Sequence, residues 1–199
     1  MTDLRGVKLF IFDLDETITN LQINWEEVRK KIRKILKTNH SLIPLIPSIE
    51  QFVIDSKLKK KIYQTIDNEE MKSIKKLKSD EGVVKLFKKL KQLNYNVALV
   101  TLQGHKPAVE ALKRLGIYEY FDLVVSRDEK KEREDQIRAA LKSMNVQPFQ
   151  AIVVADRLND MQAAKKIGCK SIAISDKLEI DADFKLNNIK EILKILGGD

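Results

Sequence analysis

The chain has 199 residues, 43% of them hydrophobic and 33% charged, with a net charge of +8 and one cysteine, Cys169. That length can bury a core, the composition excludes a disordered or low-complexity chain, and a lone cysteine excludes a disulfide framework or a cysteine-built zinc site. No apolar run reaches the roughly 18 residues that span a bilayer, and Met1-Thr2-Asp3-Leu4-Arg5 has neither region of a signal peptide, so a cytoplasmic protein is expected.

Residues 7–14, Val7-Lys8-Leu9-Phe10-Ile11-Phe12-Asp13-Leu14, read as a buried strand, short and rich in aromatic and β-branched residues. Asp13 and Asp15 arrive where that strand should end. Residues 21–79 then carry helical patterns: Trp25, Val28, Ile32, Ile35 and Leu36; Leu58, Ile62 and Ile66; Met71, Ile74 and Leu77. Asn24 is placed to cap the first helix, with Glu27 completing a capping box, and Pro44 and Pro47 mark a turn. This stretch holds 14 Lys+Arg against 7 Asp+Glu, so most of the chain's positive excess is regional. Lysines at helical spacing usually form a solvated face. The stretch reads as a small helical insert, its basic charge placed above the strand ends.

A helical pattern at Val83, Val84, Leu86, Phe87 and Leu90 follows, then an apolar strand at residues 97–102. Val109, Leu112 and Leu115 predict a helix capped by Gly116. Strands at residues 121–126, 151–156 and 171–175 alternate with helices at 133–144 and 159–167, the last stopped by Gly168. Strands alternating with helices imply right-handed crossovers and a parallel sheet covered on both faces, here of five strands. Such sheets place active sites beyond the carboxyl ends of their strands. Asp13, Asp15, Thr101, Ser126 and Asp156 all fall there.

An aspartate can attack phosphorus to give an acyl phosphate, which splits hydrolysis into two displacements; a second carboxyl then serves as acid and afterwards as base. Asp13 and Asp15 suit those two tasks. Magnesium takes oxygen ligands and few carboxylates, which Asp13, Asp156, Asp160 and the backbone carbonyl of Asp15 would supply. Asp160 equally suits the first turn of a helix, where an acid favours the dipole. The Thr101 hydroxyl and the amides of Leu102 and Gln103 can cradle phosphate oxygens. A phosphoryl site needs a cation, and Lys131, with Lys130 as its rival, lies in the charge run Asp128-Glu129-Lys130-Lys131-Glu132. His40 and His105 lack partners at ligand spacing, and Trp25 reads first as core packing and second as a pocket wall.

In order and placement these motifs resemble the haloacid dehalogenase superfamily, in its phosphoglycolate-phosphatase-like branch with a helical cap. The likeness covers nearly the whole chain. It implies a three-layer, Rossmann-like α/β fold with a parallel five-stranded sheet, a core of residues 1–20 and 80–199, and a cap of residues 21–79 inserted after the first strand. Asp13 matches the nucleophile, Asp15 the acid/base, Thr101 the motif-two hydroxyl and Lys131 the motif-three lysine; Asp156 and Asp160 match the acidic magnesium motif. Glu16 departs from the usual Gly, Glu132 and Glu134 from two prolines, and Ala155 from a Gly. Leu102-Gln103 replaces the commoner Asn after the motif-two hydroxyl. An aspartate at the Asp15 position favours phosphatase or phosphomutase chemistry over dehalogenation. The expectation is therefore a Mg²⁺-dependent phosphomonoesterase acting on a small phosphorylated metabolite, with no membrane partner. A phosphomutase is the rival reading within the superfamily. A non-catalytic nucleic-acid-binding protein is disfavoured, because the insert has no aromatic-interleaved basic motif.

Overall fold

A computed structural model of the chain describes residues 4–175 and 181–197; residues 1–3, where the N-terminal segment read above begins, lie outside the described residues. Six strands form one sheet: β1 (Leu9–Phe12), β2 (Asn96–Val100), β3 (Leu123–Val125), β4 (Ala151–Ala155), β5 (Lys170–Ile174) and β6 (Phe184–Leu186). Their order is β3-β2-β1-β4-β5-β6, and every neighbouring pair is parallel. The first five strands match the predicted apolar runs. The sixth corrects the expected number: β6 is a three-residue edge strand whose Phe184 and Leu186 reach the core while Lys185 is exposed, so no apolar run marks it.

Eight α-helices accompany the sheet among the described residues: α1 (Trp25–Leu36), α2 (Leu45–Phe52), α3 (Ser56–Ile74), α4 (Glu81–Gln92), α5 (His105–Leu115), α6 (Arg133–Met144), α7 (Leu158–Ile167) and α8 (Ile192–Ile195). Alternation along β1 assigns them to layers. Phe10 and Phe12 face one side, with Val97, Leu99, Ile152 and Val154, and are covered by apolar residues of α4 and α5. Leu9 and Ile11 face the other, with Ala98, Val100 and Val153, under α6 and α7. A central parallel strand is buried on both faces, which is why all four residues of β1 are apolar and fully covered. Phe12 meets Phe87 of α4 edge-on at 5.0 Å between ring centroids. Gly116 ends α5 at φ 72, a left-handed position that costs glycine nothing.

Residues 25–74 hold α1, α2 and α3, which close around their own cluster of Val28, Ile32, Leu42, Ile46, Ile49, Val53, Ile62 and Ile66. The Asn24 side chain accepts from the Glu27 amide at 3.1 Å and caps α1. Pro44 and Pro47 do not form a turn between helices. Pro44 is the residue before α2 and Pro47 lies in its first turn, where a missing N–H leaves no hydrogen bond unmade. α3 links two cores: Ile62 and Ile66 sit in the insert cluster, while Ile74 at its other end packs with the sheet. Insert lysines pair at the surface, Lys59 with Glu50, Lys72 with Glu69 and Lys31 with Glu69. Among the described residues, no helix is long and apolar enough to cross a membrane.

Truncating Phe12 to Ala should remove about 3–5 kcal/mol of stability by leaving an aromatic-sized cavity. The same kind of change at Ile54, which is 96% exposed, should stay within about 0.5 kcal/mol. Urea denaturation of the two variants measures the contrast; equal losses would contradict this assignment of the core.

Candidate active site

The strand order reverses between β1 and β4: successive strands run outward from β1 to β2 and β3 on one side, and from β4 to β5 and β6 on the other. At such a switch point the two connections diverge and leave a crevice beyond the strand ends. Asp13 follows β1 directly, its amide donating to the Val154 carbonyl at 3.0 Å, and Asp156 follows β4. Asp160 is in the first turn of α7. One carboxylate oxygen from each of Asp13, Asp156 and Asp160 lies within 4.8 Å of the others.

Asp15 is buried two residues past Asp13 in a tight turn. Its Oδ1 accepts from the Leu21 amide at 2.8 Å, and its backbone bridges to Thr19. Glu16 has φ 62, and its amide donates to the Thr19 carbonyl at 2.7 Å. That conformation accounts for the glycine usual at this position, and Glu16 adopts it at a cost of roughly 1–2 kcal/mol; nothing in the structure explains the glutamate itself. Thr17, also in the turn, donates its hydroxyl to Asp156 Oδ1 at 3.4 Å.

Two cations meet these carboxylates: Arg157, half exposed, with its Nε 3.8 Å from Asp156 Oδ2, and Arg133, the first residue of α6, which reaches between them. Arg133 Nη2 donates to Asp13 Oδ1 and its Nε to Asp160 Oδ1, both at 2.7 Å, and its Nη1 to the Val100 carbonyl at 2.7 Å. Lys131 is elsewhere. Its Nζ lies 4.0 Å from Glu50 of the insert and 5.9 Å from the Tyr63 ring. Lys130 is exposed, and its carbonyl accepts from Gln136. Without the prolines of the family pattern, Glu132 stands just before α6 and Arg133 begins it, directed at the strand ends. The planar fork of arginine spans two carboxylates and a carbonyl, a geometry that a lysine ammonium cannot copy. Arg133 directly follows the charge run that holds Lys130 and Lys131.

Beyond β2 the chain turns through Thr101, Leu102, Gln103 and Gly104. Thr101 is fully buried; its hydroxyl bonds the Gln103 side chain and accepts from the Gln103 amide at 3.2 Å. The carbonyls of this turn are committed to donors from the segment after β3. Val100 O takes Arg133, Thr101 O takes the Gln136 amide at 2.7 Å, Leu102 O takes Arg127 at 2.7 Å, and Gln103 O takes the Arg127 backbone amide at 3.2 Å. Carbonyls held this way cannot turn toward an incoming anion. A cavity of about 250 Å³ adjoins the turn, lined by Trp25, Arg29 and Leu45 of the insert with Leu102, Gln103 and Arg157. Trp25 thus takes both places that the sequence allowed it, packing against the insert cluster and lining the cavity.

Burial pushes the Asp156 carboxyl up to about 6, and the neighbouring Asp13 charge adds to that shift. Burial raises Asp15 as well, against the opposing Leu21 amide, and raises Asp160 against the opposing Arg133 charge. For Arg133, burial opposes the charge, but Asp13 and Asp160 outweigh it and its pKa is raised. Asp160 Oδ2 is buried with no hydrogen-bond partner. Arg133 occupies the other oxygen, so a second cation has a ligand waiting. An all-oxygen donor set of this charge fits a hard divalent ion.

A model of the haloacid dehalogenase-like hydrolase family matches residues 10–174. Pyrophosphatase PpaX of Halalkalibacterium halodurans is 25% identical over 127 residues, covering 59% of this chain and 59% of that protein. Phosphoglycolate phosphatase of Chromobacterium violaceum is 28% identical over 114 residues, covering 54% and 51% respectively. The chain therefore matches between half and three-fifths of the length of these relatives. In fold, it is similar to the crystal structure of β-phosphoglucomutase from Clostridium difficile, with a TM-score of 0.72 at 20% identity over 96% of both chains.

Two predictions follow from the electrostatics. The ordinary value for Asp156 is 3.8, and its folded value is about 6. Between these values the folded chain holds a proton that the unfolded chain has released, so stability falls as pH rises through the window and the cost is complete above it. Glu26, Glu50 and Asp80 are lowered, a shift of opposite sign that acts only as pH falls below their ordinary values of 4.5, 4.5 and 3.8, outside the range compared next. In chelator, the melting temperature should rise from about pH 7.5 to about pH 5.5, and rise less in Asp156→Asn; identical slopes would contradict the shift. Arg133→Met, which leaves two buried carboxylates unpaired, should cost about 3–5 kcal/mol. Lys131→Met should cost less than about 1 kcal/mol. Denaturant titration compares them, and a larger loss at Lys131 would refute the assignment of the buried cation.

Proposed function

The chain belongs to the haloacid dehalogenase-like hydrolase family, and from that membership we propose that it is a Mg²⁺-dependent phosphomonoesterase working through an aspartyl-phosphate on Asp13. The observation that carries this reading is the gathering of Asp13, Asp156 and Asp160 at the switch point of the sheet, with Asp15 held beside them in its turn.

An oxygen of the Asp13 carboxylate attacks phosphorus while the bond to the leaving oxygen breaks. Asp15, whose pKa burial raises, gives its proton to that leaving oxygen, so the alcohol departs neutral. Asp15 is then a carboxylate and takes a proton from water. That water attacks phosphorus, the bond to Asp13 breaks, and inorganic phosphate leaves with both aspartates restored. Arg133 fixes Asp13 and sets positive charge beside the oxygens that gain negative charge. The Leu102 amide receives a phosphate oxygen from the side of β2, joined by the Gln103 amide and the Thr101 hydroxyl when they exchange the bonds they make with each other. Asp13, Asp156, Asp160 and the Asp15 carbonyl would hold Mg²⁺, which supplies charge neutralisation to the phosphoryl group when bound.

The cavity of about 250 Å³ suits the alcohol half of a small metabolite. Arg29 and Arg157 on its wall favour a second anionic group there. Pyrophosphate and phosphoglycolate, the substrates named for the two relatives, belong first in a test panel. Transfer of phosphate between positions of a sugar phosphate, in place of release, would mark a phosphomutase.

Phosphate release from the panel should require Mg²⁺, cease with chelator and return on adding Mg²⁺. Asp13→Asn should abolish turnover of an aryl phosphate. Asp15→Asn should lower kcat by about 10²–10⁴-fold with Mg²⁺ binding, followed by calorimetry, largely kept. Full activity in Asp13→Asn, or undiminished turnover in Asp15→Asn, would defeat the assigned roles.

A further inference from the structure

We propose that Glu70 and Arg127 are positioning residues for the turn 101–104, a pair through which the helical insert holds the phosphate-binding backbone in place. The role rests on the phosphatase reading above, but the geometry that points to it is independent of any ligand.

Glu70 lies on α3 of the insert, and Arg127 follows β3. They are 0% and 1% exposed, a level of burial that charged side chains rarely reach without partners. Arg127 Nη1 donates to Glu70 Oε1 at 2.6 Å and Nη2 to Glu70 Oε2 at 3.2 Å. Nη2 also bonds Asp67, one turn earlier on α3.

The remaining bonds of the pair converge on one target. Arg127 Nη1 reaches the Leu102 carbonyl, the Arg127 amide reaches the Gln103 carbonyl, and Glu70 Oε2 accepts from the Gly104 amide at 3.2 Å. A pair serving only to join α3 to the core could end on any backbone. This one ends on three consecutive residues of the turn that carries Thr101, and it takes two carbonyls out of reach of an anion. Packing at Gly104 makes the fit exacting. A Cβ there would come within 2.5 Å of Asp67 Oδ1 and 3.1 Å of Arg127 Nη2, so a side chain at this position would displace these two groups from their present contacts. The helix bearing Glu70 and Asp67 is also seated in both cores, through Ile66 on one side and Ile74 on the other. The turn is therefore referenced to a rigid element, and α3 acts as part of the phosphate site's frame.

Two readouts test this on the whole chain. The first is amide hydrogen exchange without substrate. The second combines kcat for an aryl phosphate with inhibition by orthovanadate. In Glu70→Ala, where Asp67 still pairs with Arg127, exchange at residues 102–104 should accelerate about tenfold or more while the amides of β2 keep their protection. In parallel, kcat should fall roughly tenfold to a hundredfold, and orthovanadate should inhibit correspondingly less well, as misplaced phosphate donors would cause. Glu70→Gln keeps an acceptor for Gly104 and for Arg127 and should recover most of the loss. A purely structural contact would not produce that graded rescue together with weaker vanadate inhibition. Should Glu70→Ala fail to fold, Gly104→Ala leaves every charge in place and should show the same kinetic defect. A folded Glu70→Ala or Gly104→Ala with kcat and vanadate inhibition within about twofold of wild type would overturn the proposal. Wild-type protein that releases no phosphate and ignores orthovanadate would instead defeat the phosphatase reading, while unchanged exchange at residues 102–104 in Glu70→Ala would defeat the hold of the pair on the turn. Exchange data then separate the two failures, since they need no substrate.

Discussion

Three aspartates, each with one carboxylate oxygen within 4.8 Å of the others, crowd negative charge at the strand ends, and the Arg133 guanidinium offsets their repulsion by bonding Asp13 and Asp160. The parallel sheet creates the difficulty: β1 and β4 are neighbours at the switch point, so the residues that follow them converge. α6 supplies the remedy by starting at Arg133, whose third bond, to the Val100 carbonyl, ties the charge cluster to the end of β2. One side chain thereby links β1, β2 and α7. It also uses only one oxygen of Asp160, leaving the other unpartnered for a metal.

The side of the crevice facing β2 is organised by the opposite logic. There the requirement is donors without competing acceptors, and each carbonyl from Val100 to Gln103 is held by a donor from residues 127–136. Arg127 and Gln136, both buried, and Arg133, partly buried, make these bonds from a single segment. The insert enters through Glu70, which bonds both Arg127 and the Gly104 amide, so α3 is joined directly to the turn after β2.

Much of this was legible in the sequence, and for physical reasons. Central strands buried on both faces must be continuously apolar, so β1, β2, β4 and β5 declared themselves, as did the helices whose apolar residues recur at helical spacing. β6 did not, because an edge strand of three residues with Lys185 at its centre carries no such pattern. Asp13, Asp15, Asp156 and Asp160 were visible from their place after strands. Arg133 was not, since choosing among Lys130, Lys131 and Arg133 depends on where α6 begins, and the family's prolines that would mark that point are absent. Glu70 and Arg127 are 57 residues apart and each sits among other charges, so composition offers no hint that both are buried. The glycine usual at the Glu16 position became intelligible only from the backbone: the left-handed φ, not the carboxylate, is what the turn asks of that position.

Hydrolysis through Asp13 requires a bond from its carboxylate to phosphorus, and rapid acid quench tests for that bond most directly. Enzyme mixed with substrate and Mg²⁺, quenched within one turnover and digested, should yield a peptide containing Asp13 that carries one phosphoryl group and loses it on treatment with hydroxylamine, as an acyl phosphate does. Phosphate released with no such adduct at any quench time, or an adduct on a peptide lacking Asp13, would contradict it.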